Sequence, residues 1–479
     1  MKKIIIASFL VIGVIAGLLL SQDPLLKNSG SEFVQVAKAD LLEEFHGAYG
    51  DGVQATGVTH EINLIAAESA EELIPGIETI TWSYNGGTPA EEIRIKLGDE
   101  LKINLENQLE QATSIHFHGI RVPNEMDGVP GVTQDLVEPG ETFTYQFTPK
   151  DPGTYWYHPH FEAAEQIERG LYGVIIVEDD SSSFYTQDKV WVIDDWLLQN
   201  DYQISPYFVT GHDLMHDGRW GNLITVNGSI DEVLIVQPGE RIRLRLVNTS
   251  NGRVYQLNFG ELEAVAIAVD GMNVGEVFDA EGFELAPGNR IDLDITIPQE
   301  SDGKKYLIQD KFTRTTIPLA SIQVEGEAVE TPIFDYPINI QMPEWNAAGN
   351  DVDIVYELDS QRASRSEGMH GMMSLEWVIN DKLYSEAIPD EIQSGEFVKI
   401  QFKNESSRLH PMHIHGQFFK VISRDGEPVD EAFFRDTVLV HPNETVEVGM
   451  VPLDSGSWMN HCHILEHAES GMMTVIEVI

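Results

Sequence analysis

GDELKINLEN from Gly98 to Asn107, GERIRLRLVN from Gly239 to Asn248 and GEFVKIQFKN from Gly395 to Asn404 align without gaps. Apolar residues alternate with polar ones in each: Leu101, Ile103 and Leu105; Ile242, Leu244 and Leu246; Val398, Ile400 and Phe402. Successive side chains on a strand point to opposite faces, so a period of two reads as a half-buried strand. Upstream of each stretch a short apolar strand ends in a turn signal, at Asn85 and Gly86, Asn227 and Gly228, and Asn380 and Asp381. Downstream, a Pro-led turn, an alternating strand, a Gly-containing turn and a further strand recur as Pro139 to His160, Pro287 to Asp310 and Pro442 to His463. Short strands punctuated by Gly and Pro, repeated three times, predict an all-β chain of three consecutive β-sandwich or β-barrel domains. AAEQIERG after His160 is one of the few stretches that reads as a short helix. Domains are expected over residues 40–180, 181–330 and 331–479, with 1–39 outside them, and 479 residues is a length that calls for about three cores.

The charge is lopsided: 30 Lys plus Arg stand against 78 Asp plus Glu, a formal net charge of -48. Such a surface repels phosphate backbones and anionic headgroups, so nucleic-acid and peripheral membrane partners are disfavoured. It reads as a solvated acidic coat suited to high salt, with cation attraction as the lesser alternative. Lys2 and Lys3 precede an apolar run from Ile4 to Leu20, the build of an export signal. Ala37 and Ala39 form an Ala-x-Ala cleavage site before Asp40, although far from the apolar run. An uncleaved anchor through residues 4–20 is the alternative, since the run is near the lower length of a spanning helix. An extracytoplasmic protein is expected, secreted or held at the cell surface. No twin-Arg pair precedes the run, which implies export of an unfolded chain and metal loading outside. The lone cysteine, Cys462, excludes an internal disulfide framework and is either an inert buried thiol or a reactive or metal-bound one.

The histidines fall where the repeat is shared. Nine and eleven residues past the Asn of the first element lie His116 and His118, Leu257 and Phe259, and His413 and His415. Five and seven past the Gly of the second element lie His158 and His160, Ile308 and Asp310, and His461 and His463. The outer domains therefore carry four matched His-x-His pairs, while the middle one carries none and reads as a spacer. Alternate residues share a face, so each pair presents two imidazoles together. Imidazole suits copper, iron, nickel and zinc alike, and Cys462 narrows the choice. It sits between His461 and His463 on the opposite face, with His467 five residues on and Met472 ten residues on. Together with His410 these make two His, one Cys and a distant thioether, the ligand set of a blue-copper electron-transfer site. His46, His60, His212, His216, His370 and His441 share no such pattern and read as structural.

HFHG (His116 to Gly119), YWYHPH (Tyr155 to His160), HPMHIHG (His410 to Gly416) and HCHILEHAESGMM (His461 to Met473) together resemble the four copper signatures of the three-domain bacterial multicopper oxidases, the laccase and copper-oxidase family. The resemblance spans roughly residues 55 to 479. It implies three cupredoxin-like Greek-key barrels and four copper ions. A type 1 copper is implied on His410, Cys462, His467 and Met472, and a type 2 copper on His116 and His413. A type 3 pair is implied on His118, His158 and His463 and on His160, His415 and His461, at the interface of the outer domains. An electron entering at Cys462 would have a short covalent route through His461 and His463. Asp127 matches the family carboxylate near the type 2 copper and is expected to relay protons, its plainer reading being a turn residue beside Gly128. The acid that several relatives carry after the type 1 histidine is Ala468 here, with Glu469 as a candidate substitute. Met472 as axial ligand implies a potential below the highest in the family.

The implied partners are O2 and a small reducing substrate: a phenol, an aromatic amine or a low-valent metal ion. Met369, His370, Met372 and Met373 favour a metallo-oxidase for Cu(I), Fe(II) or Mn(II), if they are more than flexible loop methionines. Against it, Ser406 and Arg408 replace the acid and Met of some copper-detoxifying relatives, and no long Met-rich insert is present. Laccase-like oxidation of phenols and aromatic amines, in an open pocket at the His467 edge, is the expectation. A two-domain nitrite reductase would lack the third repeat, a scaffold relative would have lost ligands, and a copper-storage protein would bind the metal without consuming O2.

Overall fold

The computed structural model describes residues 35, 37, 52–336, 347–363, 375–429 and 431–479. The apolar run, His46 and the cluster Met369, His370, Met372 and Met373 lie outside the described residues. No helix among the described residues is long and apolar enough to cross a membrane.

The three aligned stretches form equivalent strands, Glu100–Asn107, Arg241–Asn248 and Val398–Asn404. Each runs parallel to an earlier strand, Thr59–Ile74, Gln187–Trp196 or Ile354–Arg362. Each is also antiparallel to a later one, Thr142–Phe147, Arg290–Thr296 or Thr445–Met450. Strands that skip a neighbour in this way make the Greek-key crossover, and a second sheet closes each unit. The chain is all-β, built as three consecutive cupredoxin-like Greek-key barrels. The apolar alternation fills their cores: Leu101, Ile103, Leu105, Ile242, Leu244, Leu246, Ile400 and Phe402 are all fully buried. The turn signals hold for a physical reason. Asn85 and Gly86, Asn227 and Gly228, and Asn380 and Asp381 all take positive φ, as a two-residue hairpin turn with the twist of its strands requires.

One expectation fails in an informative way. The polar face of Arg241–Asn248 is not solvated: Arg243 and Arg245 are buried. Arg245 pairs with Asp188 and Asp292 and donates to Thr154 Oγ1 of the first barrel at 2.8 Å. The middle barrel thus docks through a charged face whose ions are matched within it, while the Thr154 hydroxyl and, at 3.5 Å from Asp188, the Arg94 guanidinium reach it from the first barrel.

Candidate metal centre

The second sheet of each outer barrel carries the histidines. His116–His118 pairs antiparallel with Gly153–His158, placing His116 opposite His158. His410–Ile414 pairs with Gly456–Cys462, placing His413 opposite His461 and Met412 opposite Cys462. The equivalent positions of the middle barrel, Leu257, Phe259, Ile308 and Asp310, are buried within it. The short helix read after His160 is present as Ala163–Glu168.

The two outer sheets face each other. The rings of His116 and His415 stack at 3.8 Å, and those of His118 and His413 at 3.8 Å with planes 11° apart. Eight imidazoles thereby line one chamber, five on the four strands and those of His160, His415 and His463 just past their ends. Ligand-capable atoms converge within 4.8 Å in the sets His116, His118 and His413; His118, His158 and His463; and His160, His415 and His461. Burial, reinforced for most of these rings by neighbouring imidazoles, lowers the proton affinity of His118, His158, His160, His413, His415, His461 and His463. The rings are therefore neutral and keep a lone pair.

The surrounding hydrogen bonds choose which nitrogen keeps it. Nδ1–H of His116 donates to the Asp127 carbonyl at 2.8 Å, that of His158 to Pro159 at 2.8 Å, that of His413 to Asp436 at 2.9 Å and that of His461 to Cys462 at 2.8 Å. Among the described residues, Nε2 of His116, His158, His160 and His413, Nδ1 of His118 and both ring nitrogens of His463 are buried without a hydrogen-bond partner. Each such atom costs about 1–3 kcal/mol when buried unpaired, and on each of these neutral rings one nitrogen offers a lone pair. His415 sharpens the point. Its Nδ1–H donates to Asp127 Oδ2 at 2.8 Å, so its Nε2 meets the His461 Nε2 lone pair to lone pair at 3.1 Å. Two lone pairs held at that distance call for a cation, and imidazole donors suit copper.

A second constellation lies in the third barrel's core. Cys462 Sγ stands 3.6 Å from His410 Nδ1 and 3.9 Å from His467 Nδ1, and the Ile464 N–H donates to the sulfur at 3.4 Å. The far nitrogens are occupied: His410 Nε2–H donates to Ser406 Oγ at 2.9 Å and His467 Nε2–H to the His216 carbonyl at 2.9 Å. Burial pushes the Cys462 thiol up, so its thiolate needs a bound cation. Met472 is fully buried in the same core, and Trp377 covers His467 at 4.1 Å between ring centroids. His467 is closed off from solvent, where an open edge was expected.

Asp127 is both a turn residue and a partner of the chamber. Its carboxylate reaches His415, with Oδ1 also 3.3 Å from His116 Nδ1, while Gly128 beside it takes positive φ. Glu469 lines a cavity of about 310 Å³ together with His158, His160, His461 and Ala468. Burial raises its carboxyl to about 7 against the opposing pull of the Ala164 N–H, which it accepts at 2.7 Å.

Sequence reasoning missed Asp436, Arg290 and Gly288. Asp436 Oδ1 lies 3.2 Å from His118 Nε2 and 3.5 Å from His413 Nδ1, and Arg290 of the middle barrel grips both its oxygens at 3.0 and 2.7 Å. Burial alone would raise the Asp436 carboxyl, but Arg290 and His413 outweigh it and hold it below the usual range. Burial and the Asp436 charge raise neighbouring Asp270 to about 6. Gly288 takes φ +88°, and a Cβ there would sit 2.9 Å from His118 Cε1. The middle barrel is therefore a wall of the chamber and more than a spacer. Among the histidines read as structural, His60 pairs with Asp99 and His441 with Glu284, but His212 and His216 are exposed.

Three family models described as multicopper oxidase match residues 68–182, 187–326 and 357–479. A multicopper oxidase of Staphylococcus aureus is 29% identical over 87% of this chain and 88% of its own. The crystal structure of a multicopper oxidase from Pseudomonas thermotolerans superposes with TM-score 0.77 at 33% identity, covering 88% of this chain and 100% of that one. A Campylobacter jejuni multicopper oxidase, described as a metallo-oxidase, does so with TM-score 0.74 at 27% identity, covering 94% and 96%. With three barrels matched in order and imidazole and thiol donors converging at two centres, this chain belongs to the multicopper oxidases, copper-dependent oxidoreductases that use O2 and a reducing substrate.

Proposed function

We propose that this chain takes electrons singly from a small reducing substrate at the His410, Cys462 and His467 site and delivers them to the eight-histidine chamber, where O2 becomes water. The observation that carries the reading is the placement of Cys462. It lies in the third barrel's core, while His461 and His463, bonded to it through the backbone, face the chamber. His410, Cys462, His467 and Met472 would hold a type 1 copper; His116 and His413 a type 2; His118, His158 and His463, with His160, His415 and His461, the type 3 pair. Bound copper would supply one-electron redox at the first site and a four-electron meeting point with O2 at the second.

The rest is done by the chain itself. Asp127 Oδ2 accepts the His415 Nδ1–H, which orients that ring and keeps a carboxylate available to move protons. Glu469, with its carboxyl near 7, is poised between acid and carboxylate at neutral pH on the cavity wall beside Ala468, and so gives and takes protons in place of the acid absent there. The cavity beside Glu469 reaches His158, His160 and His461 and is the way by which small molecules and protons would come to the chamber. The export run supports an extracytoplasmic location.

For the donor, the sequence favours phenols and aromatic amines. The closed edge of His467 favours a low-valent metal ion instead, since a donor reaches that ring through the His216 carbonyl and not by direct contact. Oxygen uptake by the copper-loaded protein tests both. Faster uptake with a methoxyphenol makes it laccase-like, faster uptake with Cu(I) makes it a metallo-oxidase, and none with either refutes oxidase activity in favour of copper storage.

A further inference from the structure

His212 and His216 sit one helical turn apart, on the short helix Gly211–Met215 and the residue that caps it. Their rings stack with centroids 4.2 Å apart and planes 21° apart, and both side chains are exposed, as is Met215 at 48%. Two exposed imidazoles held face to face contribute little to a core. Their hydrogen bonding is that of ligands. His216 Nδ1–H donates to the His212 carbonyl at 2.8 Å, which selects the tautomer whose Nε2 lone pair faces outward. His212 is held only loosely, its Nδ1 3.7 Å from an Asp213 carboxylate that Thr210 already engages through its backbone N–H and hydroxyl, each at 2.8 Å. Its ring is therefore free to turn until both Nε2 atoms meet one ion. On the other side, the His216 carbonyl accepts the His467 Nε2–H at 2.9 Å. One residue thus carries an outward-facing ligand nitrogen and the hydrogen bond that ends on His467.

We propose that His212 and His216, with the Met215 thioether, dock Cu(I) as an electron-donating substrate whose electron reaches His467 through the His216 backbone. The proposal rests on the reading of His467 as the entry point for electrons. Imidazole and thioether are ligands that Cu(I) accepts at low coordination number, and a net charge of -48 draws cations to the surface. Each Cu(I) gives up one electron and leaves as Cu(II). Four such events, with four protons from solvent, reduce one O2 to two waters, and nothing at the docking site is made or broken except metal–ligand bonds.

The test takes the copper-loaded full chain and uses Ag(I), a redox-inert ion of the same charge and softness, in competition against a chromogenic chelator. Replacing both rings, His212→Ala with His216→Ala, is expected to weaken Ag(I) binding at least about tenfold and to raise KM for Cu(I) while kcat is kept. His60→Ala, in the first barrel, serves as the control with unchanged Ag(I) affinity. The His216 carbonyl survives these substitutions, so the blue absorption of the Cys462 site is expected to persist. Unchanged Ag(I) affinity, an unmoved KM for Cu(I), or loss of the blue absorption would each overturn the proposal, the last because it would make the helix a mere support for His467. Ag(I) binding that depends on the two histidines in a protein that consumes no O2 with any donor would uphold the metal site and refute the oxidase reading.

Discussion

Replacing Arg290 by methionine removes the charge through which the middle barrel holds the histidine chamber. The guanidinium is fully buried and donates to both oxygens of Asp436, to the Thr154 carbonyl at 3.0 Å and to the Gly288 carbonyl at 3.1 Å. At the 2.7 Å contact, Coulomb attraction with an effective dielectric of about 20 is worth ~6 kcal/mol, an upper bound before desolvation is counted. Removing one partner of a buried pair costs about 3–5 kcal/mol, because the other charge is left without compensation. Here that charge is Asp436, with Asp270 3.7 Å from the same guanidinium, so the upper half of the range is expected. Urea unfolding of the copper-free protein reads the stability; paramagnetic resonance of the chamber coppers, set against blue absorption, reads the site. Asp436 orients His118 and His413, so chamber copper is expected to bind at least about tenfold more weakly while the blue site stays loaded. Arg290→Lys should fall between, keeping the charge and losing the fork. A loss below ~1 kcal/mol with a normally loaded chamber would refute the reasoning.

Cys462→Ser is expected to abolish the blue absorption and leave far-UV dichroism unchanged; a variant that stays blue refutes the type 1 assignment. Asp127→Asn should slow O2 reduction about a hundredfold while anaerobic bleaching of the blue colour by the donor keeps its rate, and equal slowing of both half-reactions would remove Asp127 from proton transfer. Burial, countered only in part by backbone hydrogen bonds, holds His461 and His467 down at about 3. The unfolded chain takes up protons that the fold refuses, so stability from these rings is complete above about pH 6.5. It is lost as pH falls toward 3, at up to ~1.4 kcal/mol per pH unit for each ring. An unfolding midpoint of the copper-free protein that is flat below about pH 6 would contradict this. Gly288→Ala meets both the strain of φ +88° and a Cβ 3.0 Å from His463 Cδ2. It should cost about 1–3 kcal/mol and disturb the chamber before the blue site, as read by copper content; normal loading would show that the turn can yield.

The all-β fold, the three hairpin turns and the chamber's imidazoles were legible in the sequence because each depends on something local. A strand alternates its faces every residue, a two-residue turn demands positive φ, and a threefold repeat shows which positions are common and which carry histidine. His116 opposite His158 and His413 opposite His461 follow once those strands pair. Other features depend on how the barrels dock. Asp436 and Arg290 are 146 positions apart and meet only because the middle barrel presses its Pro287–Arg290 turn against the chamber. The same docking buries Arg243 and Arg245, which read as solvent-facing, and closes His467 under the His216 carbonyl, where an open edge was expected. Periodicity and repeat are properties of the chain and survive in its sequence. Which charged face meets which, and what lies over a buried ring, is set by packing free energy summed over the assembled barrels, and only the tertiary structure records it.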